Sequence, residues 1–478
     1  MTSEGDRPPG GPELPQGRPS PPPAGPRRLH PAEIILASLD NARDALIAIV
    51  VAVIGAASGS FGAAGLAALA VAGLVVAAVA GYVRWQHTTY EVRGPSLVFR
   101  RGVLSPDETA VPLGRVHAID TSQGPIQRLF GVHELHVQTA GGGARGEIKL
   151  RAVTDADAAW LRAAAGLAEP AERELPGWRL GGRRLLVTAL TAPQVGMLAP
   201  IAGGIAALAD NVLGNSGRDL VERAPTDTGS IVLIACALLA GAWLISFAGA
   251  IVAFGGFEVV RDGDRLRIRR GVLQRRASSI PVTRVHAVVV VEGILRRPFG
   301  LASVRLETAG YRDEPAAAQT LLPLTRLTEV DATLRELVPA LAPGTGRLEP
   351  PPQRARPRYA IPGVVAALAA GVAATAVWPQ AWPALVLLPA MAVAEALGRH
   401  RAAGWRLEGG LVLLRGRRLA RRTLVARIER LQEHRVRQTI LQRRAGFADV
   451  AVAVGSGHEG GVRYLEQPTA LDLFDRLR

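Results

Sequence analysis

The sequence predicts a multi-pass α-helical membrane protein, with six spans arranged as three hairpins. It carries three small β-barrel or sandwich modules, each capped by a C-terminal helix. Three observations lead there. One stretch of sequence recurs, an uncharged apolar segment stands ahead of each copy, and period-two alternation follows each apolar segment.

The repeat is anchored by Arg100-Arg101-Gly102-Val103-Leu104, which recurs as Arg269-Arg270-Gly271-Val272-Leu273, 169 residues on. The register holds without a gap. Arg115-Val116-His117-Ala118 falls on Arg284-Val285-His286-Ala287, Phe130-Gly131 on Phe299-Gly300, and Thr139-Ala140-Gly141 on Thr308-Ala309-Gly310. Laying 100–141 on 269–310 gives 17 identities in 42 positions, where roughly three are expected from ordinary residue usage. A third, more diverged copy has Leu414-Arg415-Gly416 for the Arg-Gly turn and Arg427-Ile428-Glu429 for Arg-Val-His. Its Leu441–Val450 stretch is laid on Leu295–Val304. The chain is one unit, apolar segment plus soluble module, used three times.

Residues 1–31 are rich in Pro and Gly and predict a disordered tail, without the apolar run of a secretory signal. Residues 32–83 are the first hairpin. Ala45–Val83 holds 39 residues and no charge, about twice what a ~30 Å hydrocarbon core needs. Ser58-Gly59-Ser60 supplies the turn between limbs near 42–58 and 62–83. Residues 84–168 are module 1. Leu135, Val137 and Thr139 alternate with His136 and Gln138, the pattern of a half-buried strand. Thr154-Asp155-Ala156-Asp157 reads as a helix N-cap with acids in the first turn.

Residues 185–257 are the second hairpin, with Leu185–Ala209 and Gly229–Phe257 as limbs and 210–228 as the outer loop. That loop carries a net −2, while Arg183, Arg184 and Arg261 flank the pair, so the positive-inside rule puts the modules in the cytoplasm. Residues 258–338 are module 2. Thr328 is read as the cap of a closing helix whose Val330, Leu334 and Leu337 share one face. A Pro/Arg linker spans 339–357. The third hairpin, 358–398, turns at Trp378–Pro383. Module 3 occupies 399–478 and ends on a helix read as starting at Thr469. Both termini then lie inside, at the plasma membrane.

These residues carry a resemblance. The Arg-Gly-Val-Leu turn, the Arg-Val-His segment and the Phe-Gly strand opening resemble the bacterial pleckstrin-homology-like (bPH2) module. Its three-copy, multi-pass form is similar to the YdbT-like membrane proteins. The resemblance covers nearly everything after residue 32, although the third copy lacks the His and the Phe-Gly pair. It implies a PH-like barrel on a cytoplasmic face and no catalytic activity, and it supplies no ligand.

Composition narrows the function. The net charge is +15, and of 56 Lys+Arg only Lys149 is lysine. Such a balance fits nucleic acid or an anionic lipid surface. Nucleic acid is set aside, because the basic residues sit beside apolar spans and aromatics are only 4%. Cys236 is the only cysteine, so no disulfide framework forms within the chain.

Motifs that suggest chemistry have plainer explanations. Gly141-Gly142-Gly143-Ala144-Arg145-Gly146 matches a dinucleotide fingerprint, but a strand rather than a helix follows, so it reads as a hairpin loop. His133 and His136 are three apart in a strand and point to opposite faces. His117 and His286 share a repeat position and suit packing at a barrel edge better than a proton switch. Glu395 and Arg399 form an i, i+4 pair. No cofactor or metal is called for.

The candidate binding residues are the arginine pairs Arg100-Arg101, Arg269-Arg270 and Arg417-Arg418. Residues 399–478 alone hold 17 Arg against 8 Asp+Glu. The expected function is a non-enzymatic platform at the cell envelope. Its expected partners are anionic inner-leaflet lipids, another PH-like membrane protein, or its own copies. The alternative is a component of a transport or export system, against which stands the near absence of ionisable groups inside the spans.

Overall fold

Alternating apolar and polar residues become strands in all three repeats, and the strands are shared between neighbours. A computed structural model describes residues 25–39, 63–103, 105–139, 148–167, 177–191, 228–308, 319–344, 346–455 and 458–478.

In the first repeat β1 (Arg27–Arg28) leads into helix α1 (32–39), and α2 (Ala63–Gln86) returns to the module. There follow β2 (Thr89–Arg93), β3 (Ser96–Arg101), β4 (Asp107–Pro112), β5 (Val116–Gln123), the short α3 (Pro125–Leu129), β6 (Val132–Thr139), β7 (Ile148–Thr154) and α4 (Asp155–Ala164). The second repeat runs β8 (Gly177–Arg179), α5 (Gly182–Leu190), α6 (Thr228–Phe254), β9 (Glu258–Asp262), β10 (Arg265–Arg270), β11 (Arg275–Pro281), β12 (Val285–Glu292), β13 (Leu301–Thr308), β14 (Thr320–Arg326) and α7 (Val330–Leu337). The third runs α8 (Arg356–Val377), α9 (Ala384–Ala402), β15 (Gly404–Glu408), β16 (Leu411–Arg417), β17 (Arg421–Arg427), β18 (Leu431–Arg437), α10 (Ile440–Arg444), β19 (Phe447–Val454), β20 (Glu459–Glu466) and α11 (Gln467–Arg476).

Each module thus has three strands, then three more, then a helix. Thr154 caps α4 as expected, its hydroxyl accepting from Asp157 N at 3.3 Å. Thr328 instead lies in a 3₁₀ turn, with Glu329 preceding α7. Thr469 lies inside α11, which begins at Gln467 beside Pro468, a residue suited to the first helical turn. Arg27, expected in the tail, pairs with Asp157 and with the edge of β2, so the end of that tail belongs to module 1.

Among the described residues no sheet closes into the barrel that the sequence leads one to expect. The strand orders are β1-β2-β3-β4, β7-β6-β5-β11-β10-β9-β8, β14-β13-β12-β17-β16-β15 and β18-β19-β20. The third strand of a module does not fold back on its own fourth strand. Its edge accepts the fourth strand of the preceding module instead: β5 pairs with β11, and β12 with β17. The result is a row of sandwiches with common walls.

Burial follows from that wall. Val288 and Val290 of β12 enter one core with Leu266, Ile268, Leu306 and Leu334. Ala287 and Val289, pointing the other way, enter a second core with Val412, Leu424, Val450 and Leu473. A strand buried on both faces needs a continuous apolar run, and Val288-Val289-Val290-Val291 is that run. The β5–β11 wall is shorter and polar, three residue pairs joined by Gln274 Nε2 donating to Ser122 Oγ at 2.8 Å and Ser279 N to Asp120 Oδ1 at 3.3 Å.

The apolar segment ahead of each module has its flanking residues tied at one sheet edge. Arg28 pairs with Thr89, Gly177 with Val260, and Glu349 with Trp405. Among the described residues two helical stretches, Gln353–Val377 and Pro379–Ala402, are long and apolar enough to cross a membrane, rather than the six spans expected. Val71–Gln86 and Leu239–Phe254 are shorter apolar helical stretches. The limb at 42–58 and most of the limb 185–209 lie outside the described residues. In the third hairpin Gly371 lets the limbs touch, for a Cβ there would stand 3.2 Å from Ala384 O.

One buried ion pair crosses the second wall, Arg421 Nη1 to Glu292 Oε2 at 3.1 Å. Glu292 Oε1 and Arg421 Nε are buried without hydrogen-bond partners. Glu292→Gln alone should lower stability by ~3 kcal/mol, whereas Glu292→Val with Arg421→Leu should be neutral or stabilising. Thermal unfolding of the full chain in detergent checks the contrast. Equal losses for the single and double variants would contradict it.

Candidate functional site

The third hairpin docks on module 3 through Tyr359, Ala396 and Phe447, with Tyr464 packed beside them. Tyr359 and Tyr464 meet edge to face at 5.0 Å, and Tyr359 donates to Arg463 O at 2.7 Å. Arg354 and Arg358 stack over Phe447 at 4.8 and 5.2 Å. Beside this joint lies a half-open cleft of about 1170 Å³.

Eight arginines line it, against the two carboxylates Asp449 and Glu459. Arg358 and Arg399 come from the hairpin feet. Arg417, Arg418 and Arg422 come from the β16–β17 turn, Arg435 and Arg437 from β18, and Arg463 from β20. Asp449 is engaged structurally, accepting from Gln442 Nε2 at 2.8 Å and from Tyr464 N at 2.9 Å. Arg399 Nε lies 2.6 Å from Glu395 Oε2, the expected i, i+4 pair, in a geometry that is an ion pair and not a hydrogen bond. Among the described residues no ion pair is made by Arg417, Arg418, Arg422, Arg437 or Arg463. Charges so concentrated repel one another unless an anion enters.

The backbone is strained at the same place. Tyr464 has φ 56°, the one non-glycine residue with positive φ among those described. It sits beside the β19–β20 bulge, where the Asp449 carboxylate holds its N–H. Such a conformation costs about 1–3 kcal/mol and persists where neighbours dictate it.

The predicted arginine pairs separate into two kinds. Arg100 and Arg101 face Glu108 and Asp107 across β3–β4, at 2.8 and 3.4 Å. Arg269 is exposed and Arg270 is buried at the equivalent β10 positions. Only Arg417 and Arg418 reach the cleft. They do not match the other pairs position for position. Strand pairing sets Arg269 opposite Ala277 and Arg415 opposite Thr423, so Arg415 is the true counterpart, and Arg417 stands where the second repeat has Gly271. The same register makes Arg430, not Arg427, the counterpart of Arg284, each closing a 3₁₀ turn. Burial pushes the Arg415 guanidinium down, and its Nε donates to Thr423 Oγ1 at 2.8 Å.

The Arg-Gly-Val-Leu turn has a structural role. Gly271 N and Val272 N donate to Gly255 O and Val252 O, at 2.8 and 3.0 Å, where α6 leaves carbonyls unpaired. Gly271 has φ 95°, and a Cβ there would strike Gln274 O. In module 3 the Arg417 guanidinium lies against the backbone at Gly398, near the end of α9, the end of a helix that favours cations. Beside these turns apolar side chains point outward: Leu129, Ile294, Leu295, Phe299, Leu419, Ile440 and Leu441 are all exposed.

The other histidines are placed plainly. His133 pairs with Asp155 and His136 with Glu134. His286 is packed at the second wall, its pKa lowered by burial and by Arg430 and Arg284. The glycine-rich segment 141–146 lies outside the described residues. No group of three metal-ligating side chains occurs among the described residues.

The profile of the family described as Bacterial PH domain matches residues 45–165, 201–340 and 359–478. The chain belongs to that family. Each bacterial PH match begins inside an apolar stretch, so the repeated unit includes it. The chain is similar to the UPF0699 transmembrane protein YdbT of Bacillus subtilis (strain 168), 25% identical over 424 residues, which is 82% of this chain and 84% of that protein. Three modules of the bacterial PH family indicate a binding or scaffolding role.

His458 lines the cleft and faces Glu307 of module 2, 3.6 Å away, with Arg305, Arg422 and Glu459 around it. Burial outweighs the attraction of Glu307, and Arg422 and Arg305 add to it, so the imidazole pKa is lowered. The folded state therefore holds His458 neutral. Its contribution is complete above the ordinary imidazole value of about 6.5 and is lost as pH falls through the lowered one. Protection factors in β12 and β17, which correct for the pH dependence of intrinsic amide exchange, should fall between pH 7.5 and 5.5, and His458→Gln should flatten that dependence. Protection factors that do not change with pH would count against it.

Proposed function

We propose that this chain is an integral-membrane binding platform whose three PH-like modules lie on the cytoplasmic face. The module 3 cleft receives the anionic headgroup of an inner-leaflet lipid. The observation that carries this is the convergence of eight arginines on one cleft at the foot of a helical hairpin. Each basic residue close to an anionic leaflet contributes roughly 1 kcal/mol. Guanidinium groups match phosphate oxygens in two-pronged hydrogen bonds, which a lysine could not offer.

Six spans in three hairpins are part of the proposal. The tied ends of each hairpin require an even number of crossings, which keeps every module on one side. Val365, Val372, Val386 and Leu387 of the third hairpin are exposed, as lipid-facing side chains are and as the core helix of a water-soluble protein is not. The net −2 of 210–228 and the arginines at the hairpin feet orient the modules inward. Domain limits follow the repeat: hairpins at 32–83, 185–257 and 358–398, modules at 84–168, 258–338 and 399–478. The exposed Arg100, Arg101 and Arg269 add to the basic surface outside the cleft.

Native mass spectrometry of the full chain in detergent tests the ligand. Phosphatidylglycerol should be retained over phosphatidylcholine. The Arg417→Ala, Arg422→Ala, Arg463→Ala triple variant should retain it roughly a hundredfold less well, at about 1 kcal/mol per arginine. Equal retention of the zwitterionic lipid would defeat the assignment. An impermeant thiol reagent tests the topology, with Cys236 replaced and single cysteines placed at Ser105, Ser279 and Ser456. All three should react only from the cytoplasmic side. One that reacts from outside would break the hairpin scheme.

A further inference from the structure

We propose that the chain associates head to tail with a second copy of itself, the edge of β18 in one molecule pairing with the edge of β4 in the next. The two walls inside the chain set the rule. In each, the fourth strand of one module pairs antiparallel with the third strand of the following one. The row of modules leaves one edge of each kind without a strand beside it among the described residues, β18 at one end and β4 at the other. An open edge presents unpaired N–H and C=O groups and is a template for another strand.

The two walls share one register. Thr121 stands opposite Ala277, and Val290, at the next repeat's equivalent position, stands opposite Thr423. The same repeat offsets carry this pair to Val436 of β18 and Glu108 of β4. Arg437 then stands opposite Asp107. At the position of Asp107 the occupied strands β11 and β17 carry Arg276 and Arg422, which would repel Arg437. Of the three third strands, β4 alone has an acid there. Opposite charges directly across antiparallel strands stabilise the pairing, and like charges oppose it.

Burial tells the same story. Six of eight residues are buried in β12 and none of seven in β18; four of seven are buried in β17 and one of six in β4. Both open edges are polar, as the short β5–β11 wall is, and that wall holds by backbone pairing and side-chain hydrogen bonds. In the single chain Asp107 meets only Arg101, both more than half exposed, at 3.4 Å. Such a contact contributes little and yields readily to a new partner. A heterologous contact of this kind leaves a free edge at each end and so propagates.

The test uses the full chain with Cys236→Ser, co-reconstituted in liposomes as two variants, Asp107→Cys and Arg437→Cys. Directly opposed cysteines fall within disulfide range. Oxidation of the mixture should give a covalent dimer that neither variant gives alone, and a chain carrying both should run as a ladder. Asp107→Arg should cut the oligomer fraction at least tenfold by native mass spectrometry, and mixing it with Arg437→Asp should restore it. Asp107 lies outside the arginine cleft and Arg437 lines it, so Asp107→Arg should lose the oligomer while still retaining phosphatidylglycerol over phosphatidylcholine, which separates this interface from headgroup binding. No dimer in the mixture, or a yield equal to that of a Glu459→Cys control on β20, at the opposite side of the same sheet, would overturn the proposal. Cross-linking of Arg437→Cys to a different polypeptide in native membranes, with none to Asp107→Cys, would overturn it too.

Discussion

Backbone hydrogen bonding between successive modules is the constraint on which the rest depends. A strand edge that faces another protein surface must have its N–H and C=O groups paired, because a buried unpaired group costs about 1–3 kcal/mol. Here the edges are paired between modules rather than within them. Among the described residues no module closes on itself, and the repeats form a row in which β5 and β12 serve two neighbours each. The apolar residues obey that geometry. Alternate side chains of β12 fill two different cores, so the wall cannot slip by one residue without exchanging them.

The apolar segments fit the same frame. Each is flanked by a short strand or bridge and by the first long strand of its module, and those two flanks are hydrogen-bonded. Each apolar segment is therefore a lateral insertion into a sheet edge. The Arg-Gly-Val-Leu turn of the second repeat then closes α6, giving backbone N–H groups to its last carbonyls. A motif that looks like a basic binding signature is first of all a joint between an apolar helix and a soluble module. The third repeat has lost the glycine at that position. Its Arg417 lies on the helix end instead, and with that change the turn becomes part of a cleft.

Much of this was legible beforehand. The repeat, the alternation, the cap at Thr154 and the turn at Trp378–Pro383 all depend on residues close together in the chain, where propensity and periodicity act. Thr328 and Thr469 misled because a threonine before an apolar run resembles a cap even where a 3₁₀ turn or Pro468 starts the helix. Residue identity sets Arg427 against Arg284, three residues out of register with the strand pairing, because identity alone cannot place a diverged copy. Strand pairing places it without ambiguity. The valine run 288–291 is the sequence mark of a strand buried on both faces.

The sequence by itself determined that one unit, an apolar segment followed by several short strands and a closing helix, occurs three times, because local periodicity and turn chemistry act over a few residues. Tertiary structure alone decided which strand edges meet, and that of the three arginine pairs it is Arg417-Arg418 that lines the module 3 cleft. Those outcomes depend on residues more than a hundred positions apart, such as Glu292 with Arg421 or Tyr359 with Arg463. Nothing in the local pattern records that they touch.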